Sequence, residues 1–146
     1  MKRVIFIGSV GSGKTTISQV LSNQELAYKK TQMVEIIDSK IIDTPGEYLD
    51  RVQMRGALMI TSADVDVICL IQSAVDEKTM IPPGYAGSFA KPVIGIVTKK
   101  DIAEKEQIDL AIKKLENAGA ERCFVVSSYS QEGMEELIAY LEETQN

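Results

Sequence analysis

The chain has 146 residues, 45% of them hydrophobic and 25% charged, with a formal net charge of −5 and no histidine. The length suits one domain spanning 1–146, since domains commonly run about 100–150 residues, and the composition is that of a globular protein. The acidic balance argues against a nucleic-acid- or lipid-binding face, no apolar run approaches the roughly 18–20 residues of a membrane span, and the missing histidine removes histidine triads and histidine metal sites.

Val4–Ile7 is the first predicted strand, and it stops at Gly8, too short for a signal peptide. Gly8-Ser9-Val10-Gly11-Ser12-Gly13-Lys14-Thr15 then matches G-x-x-x-x-G-K-[ST] at every fixed position. Small residues are needed there because backbone N–H groups must converge on an anion, and a Cβ would block them. Ile17, Val20 and Leu21 follow at helical spacing, so the loop enters a helix whose N-terminus adds free donors and a positive dipole end. In this reading Lys14 reaches the β- and γ-phosphates of a nucleoside triphosphate, Thr15 ligates Mg²⁺ and Thr16 donates to the α-phosphate.

Thr31, in Tyr28-Lys29-Lys30-Thr31-Gln32, is placed to complete the Mg²⁺ shell only when a γ-phosphate is present, which makes its loop a switch. The strands Met33–Ile37 and Lys40–Ile42 are separated by Asp38-Ser39 and are expected to form an antiparallel hairpin. Asp43-Thr44-Pro45-Gly46 follows, with Asp43 as a Mg²⁺ ligand through water and the Gly46 N–H free to approach the γ-phosphate. A helix is expected from about Asp50 to Ile60, then a strand at Val65–Ile71. Ser73 to Lys91 is the least regular stretch, because Pro82-Pro83-Gly84 breaks any long helix.

The strand Val93–Val97 leads into Thr98-Lys99-Lys100-Asp101. The Asp101 carboxylate can accept from guanine N1–H and N2–H₂, a pattern adenine does not offer, while the Lys99 stem covers one face of the base. Ile108, Ala111, Ile112 and Leu115 mark a helix ending near Asn117-Ala118-Gly119. The last strand, Cys123–Val126, leads to Ser127-Ser128-Tyr129, expected to complete the base pocket through backbone N–H groups, and Met134, Leu137, Ile138 and Leu141 mark the final helix. Cys69 and Cys123 lie within apolar runs and are expected to be buried thiols, not a disulfide. The alternation of strands and helices predicts an α/β fold with a mostly parallel sheet of about six strands, one of them antiparallel.

With these elements in this order, the chain resembles a small Ras-like P-loop GTPase, which implies a three-layer fold. More closely it resembles the ethanolamine-utilization P / propanediol-utilization V (EutP/PduV) proteins of bacterial microcompartment operons. The resemblance covers nearly the whole chain and rests on Phe6-Ile7-Gly8, Tyr28-Lys29-Lys30-Thr31-Gln32, Ile42-Asp43-Thr44-Pro45-Gly46-Glu47-Tyr48, Pro82-Pro83-Gly84 and Lys91-Pro92-Val93-Ile94-Gly95. It implies an accessory nucleotide-binding protein of ethanolamine or 1,2-propanediol catabolism, taking GTP/GDP or ATP/ADP with Mg²⁺. Two departures from Ras-like enzymes matter. Glu47 stands where a water-orienting glutamine is usual, and an ionised carboxylate cannot donate and repels the γ-phosphate, so slow hydrolysis is expected. Thr98 stands where asparagine is usual, so one hydrogen bond tying the base loop to the P-loop is expected to change.

Lys14, Thr31 and Glu47 are thus the candidate catalytic residues, and three functional readings stand. One is a GTP-dependent switch whose Thr31 and Asp43–Tyr48 loops dock a microcompartment shell protein or a pathway enzyme. Another is an acetate-kinase-like phosphotransferase using ATP, with Lys29, Lys30, Arg51 or Arg55 supplying the acceptor's cation. The third is a module that binds nucleotide without turning it over. Because the first strand starts by Val4, leaving no room for a helical address into a compartment lumen, a cytoplasmic location or the outside of a shell is expected, with no membrane insertion and no nucleic-acid partner.

Overall fold

A computed structural model describes residues 3–9, 12–14, 16–17, 19–21, 41–43, 65–76, 81–127, 130 and 132–142. Their strands are β1 (Val4–Gly8), β2 (Ile41–Asp43), β3 (Val67–Ser73), β4 (Val93–Thr98) and β5 (Cys123–Val125), in the sheet order β2-β1-β3-β4-β5. Every pairing among them is parallel. Parallel strands must be covered on both faces, and β1, β3 and β4 are buried at every residue. The expected hairpin strand at 33–37 and the helix at 50–60 lie outside the described residues.

Among the described residues three α-helices flank the sheet: α1, helical at residues 14, 16, 17 and 19–21, α2 (Lys105–Ala118) and α3 (Met134–Glu142). Alternation along the strands divides the core in two. Ile5, Ile7, Ile68, Leu70 and Val97 pack with Ala111 and Leu115 of α2, and with Ile81 and Tyr85 of the segment that follows β3. Phe6, Cys69, Ile71, Ile94 and Ile96 face Ile17 and Leu21 of α1 and Met134, Leu137 and Leu141 of α3. The helical spacing read in the sequence thus marks the buried faces of α2 and α3.

Residue chemistry sets the element ends. Glu104 caps α2, exchanging hydrogen bonds with Gln107 in a capping box, and Gly119 (φ 102) takes the left-handed conformation that closes the helix. The Pro-Gly-containing stretch forms turns and one four-residue 3₁₀ helix, Tyr85–Ser88, with the Tyr85 and Phe89 rings edge to face at 5.1 Å. β3 starts later than hydropathy suggests and ends later too. It runs on through Gln72 and Ser73, polar but buried, because both still pair with β4. Both cysteines are free. Burial raises the Cys69 thiol pKa well above the ordinary range, and burial together with the Glu116 charge lifts Cys123 to about 11. Both therefore stay protonated at neutral pH, Cys69 buried and Cys123 only partly so.

Candidate functional site

The carboxyl ends of β1, β3 and β4 converge on one edge of the sheet, the place where open α/β sheets hold ligands. At the end of β1 the chain leaves Gly8 and turns, with the Ser12 N–H donating to the Ser9 carbonyl at 3.1 Å. Gly13 has φ +93, and a Cβ there would come within 3.3 Å of the Thr98 hydroxyl. Only glycine takes that backbone without strain, so the motif's second invariant glycine has a geometric reason. Helix α1 starts immediately, its first bond running from the Ile17 N–H to the Gly13 carbonyl at 3.0 Å. Lys14 is the first helical residue and is only 7% exposed, while Thr16 is exposed.

Thr98, the last residue of β4, reaches across to this loop. Its hydroxyl donates to the Ser12 carbonyl at 2.5 Å, and its side chain is 2% exposed. The bond expected to change when threonine replaces asparagine is therefore present, made by a hydroxyl. Its single proton is directed at the P-loop backbone. On the other side of Thr98, its carbonyl accepts from the Ala74 N–H at 3.0 Å, which ties β4 to the end of β3.

Lys99 is the only non-glycine with positive φ among the described residues, at φ 64 and ψ 35. A left-handed residue with a side chain costs about 1–2 kcal/mol and persists where its neighbours fix it. Here Thr98 is anchored on one side, and the Lys100 N–H donates to the Val126 carbonyl on the other. The bend carries the chain into a short 3₁₀ turn, Lys100–Ile102, and brings the Asp101 carboxylate within 2.8 Å of the fully buried Ser127 hydroxyl, which donates to it. That hydroxyl in turn accepts from the Ser130 N–H at 3.1 Å.

Ser127 requires a correction. Its backbone N–H was the expected contribution to the base pocket, but that N–H donates to the Glu132 carbonyl at 2.8 Å, closing the turn after β5. What Ser127 offers the site is its hydroxyl, on Asp101. Sequence reasoning also missed the ion pair between Lys100 Nζ and Glu132 Oε2 at 2.5 Å, and the use of the Ser12 carbonyl as an anchor. No local pattern joins these residues, so only the fold could bring them together.

The structure thus assembles Gly8, Ser9, Ser12, Gly13 and Lys14 beside Thr98, Lys99, Asp101 and Ser127. Asp43 closes β2, with its backbone opposite Phe6 of β1. Val10, Gly11, Thr15, Thr31, Gly46, Glu47, Ser128 and Tyr129 lie outside the described residues. Among the described residues no helix is long and apolar enough to cross a membrane.

Comparison with known proteins adds a family and a fold. A family model described as "Ethanolamine utilisation - propanediol utilisation" (PduV-EutP) matches residues 1–143. The propanediol utilization protein PduV of Citrobacter freundii is 36% identical over 97% of this chain and 93% of its own length. The probable acetate kinase EutP of Escherichia coli K12 is 34% identical over 97% of this chain and 89% of its own. Among solved structures, the FeoB G-domain from Methanococcus jannaschii superposes with a TM-score of 0.65 at 21% identity, covering 96% of this chain and 94% of that one. Elongation factor SelB from Methanococcus maripaludis, in complex with the GTP analogue GppNHp, gives 0.66 at 18% identity over 96% of this chain and 32% of its own length. The fold is therefore that of the P-loop GTPases.

Proposed function

The chain belongs to the PduV-EutP family of ethanolamine and propanediol utilisation proteins, and we propose that it is a Mg²⁺-dependent guanine-nucleotide-binding member acting as an accessory or switch protein. The observation that carries this reading is the pair of bonds at either side of Lys99. Thr98 to Ser12 and Ser127 to Asp101 hold a base-reading carboxylate and a phosphate cradle in one frame. Asp101 accepts from the guanine edge, Lys99 lies along the base, and Lys14 with the loop N–H groups takes the phosphates.

A cradle for a polyphosphate needs glycine at these turns, and both described glycines of the loop have no room for a Cβ: one on Gly8 would sit 2.7 Å from Ser12 Oγ and one on Gly13 would press on Thr98. Thr15, Thr31 and Asp43 supply hydroxyl and carboxylate oxygens, the donors Mg²⁺ prefers, and the ion when bound neutralises charge developing on the transferred phosphoryl group. Glu47, lacking a donor, leaves the attacking water poorly oriented, so turnover stays near or below the roughly 10⁻⁴ s⁻¹ of unassisted small GTPases. Such a protein works by state, docking a shell protein or a pathway enzyme through the Thr31 and Asp43–Tyr48 loops from the cytoplasmic side.

Competition of GTP, ATP and XTP against a labelled guanine nucleotide tests the reading. GTP should rank first, and Asp101→Asn should move the preference toward XTP, because an amide pairs with the second carbonyl of xanthine. ATP binding as tightly as GTP would overturn it. That result would favour phosphotransfer, which the name of the E. coli relative, probable acetate kinase, suggests. In that case the γ-phosphoryl group of ATP passes to a carboxylate oxygen, leaving ADP and an acyl phosphate, with Lys29, Lys30, Arg51 or Arg55 holding the acceptor. Product analysis with labelled triphosphate, with and without acetate, separates the two.

A further inference from the structure

We propose that Lys100 and Glu132 are a positioning pair that assembles the base-binding side of the site before nucleotide arrives, an inference that rests on the guanine-nucleotide reading above. The base-reading carboxylate lies on one loop, after β4, and the serine that holds it lies on another, after β5. Asp101 is steered by Ser127 only if the two loops keep their separation.

Glu132 acts at both ends of that problem. Its carbonyl accepts from the Ser127 N–H at 2.8 Å, which closes the turn after β5 and fixes where the Ser127 hydroxyl points. Its carboxylate meets the Lys100 ammonium at 2.5 Å, one residue before Asp101. The Lys100 N–H is already bound to the Val126 carbonyl at 3.2 Å, so Lys100 holds the second loop by main chain and by side chain. One backbone bond, from Lys100 to Val126, already joins the two loops near the strands, and the ion pair ties them a second time farther out, beside Asp101. The side chains are 37% and 60% exposed, so the pair is open to salt, and an exposed pair has a modest effect. Removing the Glu132 carboxylate leaves the turn's backbone bond in place, so the fold survives while the registration of the two loops relaxes.

The test uses the full chain and two probes, GDP and inorganic tripolyphosphate, which engages only the phosphate cradle. Affinities are measured for the unaltered protein, Glu132→Gln, Lys100→Gln, the double variant, and the charge swap Lys100→Glu with Glu132→Lys. Each single variant should weaken GDP about two- to five-fold at low ionic strength and leave tripolyphosphate unchanged. The double variant should lose no more than either single one, and the swap should recover most of the loss. At about 1 M salt, where the Debye length is about 3 Å, the differences should vanish. A protein that prefers GDP to ADP yet shows no change in any variant overturns the pair's role alone. Equal losses of GDP and tripolyphosphate also overturn it, since the effect would then be general destabilisation. No preference for GDP over ADP in the unaltered protein overturns the guanine reading and this inference with it.

Discussion

The carboxyl ends of β3 and β4 lie side by side in register, Ser73 opposite Thr98, and each of these hydroxyl-bearing residues is only 2% exposed. The two hydroxyls fare differently. Thr98 Oγ1 donates to the Ser12 carbonyl, whereas Ser73 Oγ has no hydrogen-bond partner among the described residues. A buried hydroxyl with a partner contributes about 0.5–1.5 kcal/mol net, and one without costs about 1–3 kcal/mol of desolvation. Two neighbouring residues of similar chemistry therefore have opposite effects. The β4 end fixes the phosphate loop, and the β3 end is held by other means, with the Gln72 amide donating to the Ser73 carbonyl at 3.2 Å and to the Asp76 carbonyl at 3.4 Å.

The largest effect is expected where the P-loop and Thr98 press together. Gly13→Ala puts a methyl into a φ +93 backbone against the Thr98 side chain. It should lower stability by about 1–2 kcal/mol and abolish tight nucleotide binding, read by denaturant unfolding and calorimetric titration. Unchanged GTP affinity would mean the loop does not need this geometry to bind. Next comes Thr98→Val, which keeps the shape and deletes the donor. Leaving the buried Ser12 carbonyl unpaired should cost about 1–3 kcal/mol, while Thr98→Ser, which keeps the hydroxyl, should retain most of the nucleotide affinity. If valine and serine behave alike, packing and not the hydrogen bond joins the two loops. Smallest in loss is Ser73→Ala, expected to match the parent or to be up to about 1 kcal/mol more stable, because it removes a buried hydroxyl with no partner among the described residues. A loss as large as that of Thr98→Val, in a thermal melt, would erase the distinction between the two strand ends.

Much of the frame is legible in the sequence for local reasons. The period of Ile108, Ala111, Ile112 and Leu115 and that of Met134, Leu137, Ile138 and Leu141 locate α2 and α3, and the apolar runs locate the strands. Strand ends read less well because hydropathy misses polar residues that are buried: Gln72, Ser73 and Thr98 end β3 and β4 and are polar yet buried. The P-loop was legible as a motif, since its spacing encodes backbone geometry. The way Thr98 substitutes for asparagine was not, because whether a shorter side chain spans to Ser12 depends on a distance set by two strands. The Ser127 N–H is not legible as engaged, because the turn that holds it is closed by Glu132, which no local pattern links to Ser127.

The position of β1 in the sheet has a consequence for how the protein is made. Val4 pairs with Ile41 on one side and with Val67 on the other, so the strand that leads into the P-loop is interior to the sheet although it is synthesised before either neighbour. Both its edges stay open until much later segments arrive, and such non-local parallel pairing is slow to form and exposed to aggregation meanwhile. Thr98, which anchors Ser12, is synthesised later still, after β3 has supplied its neighbour. A nascent chain that ends before Thr98 therefore carries the whole phosphate-loop motif without the hydroxyl that positions it.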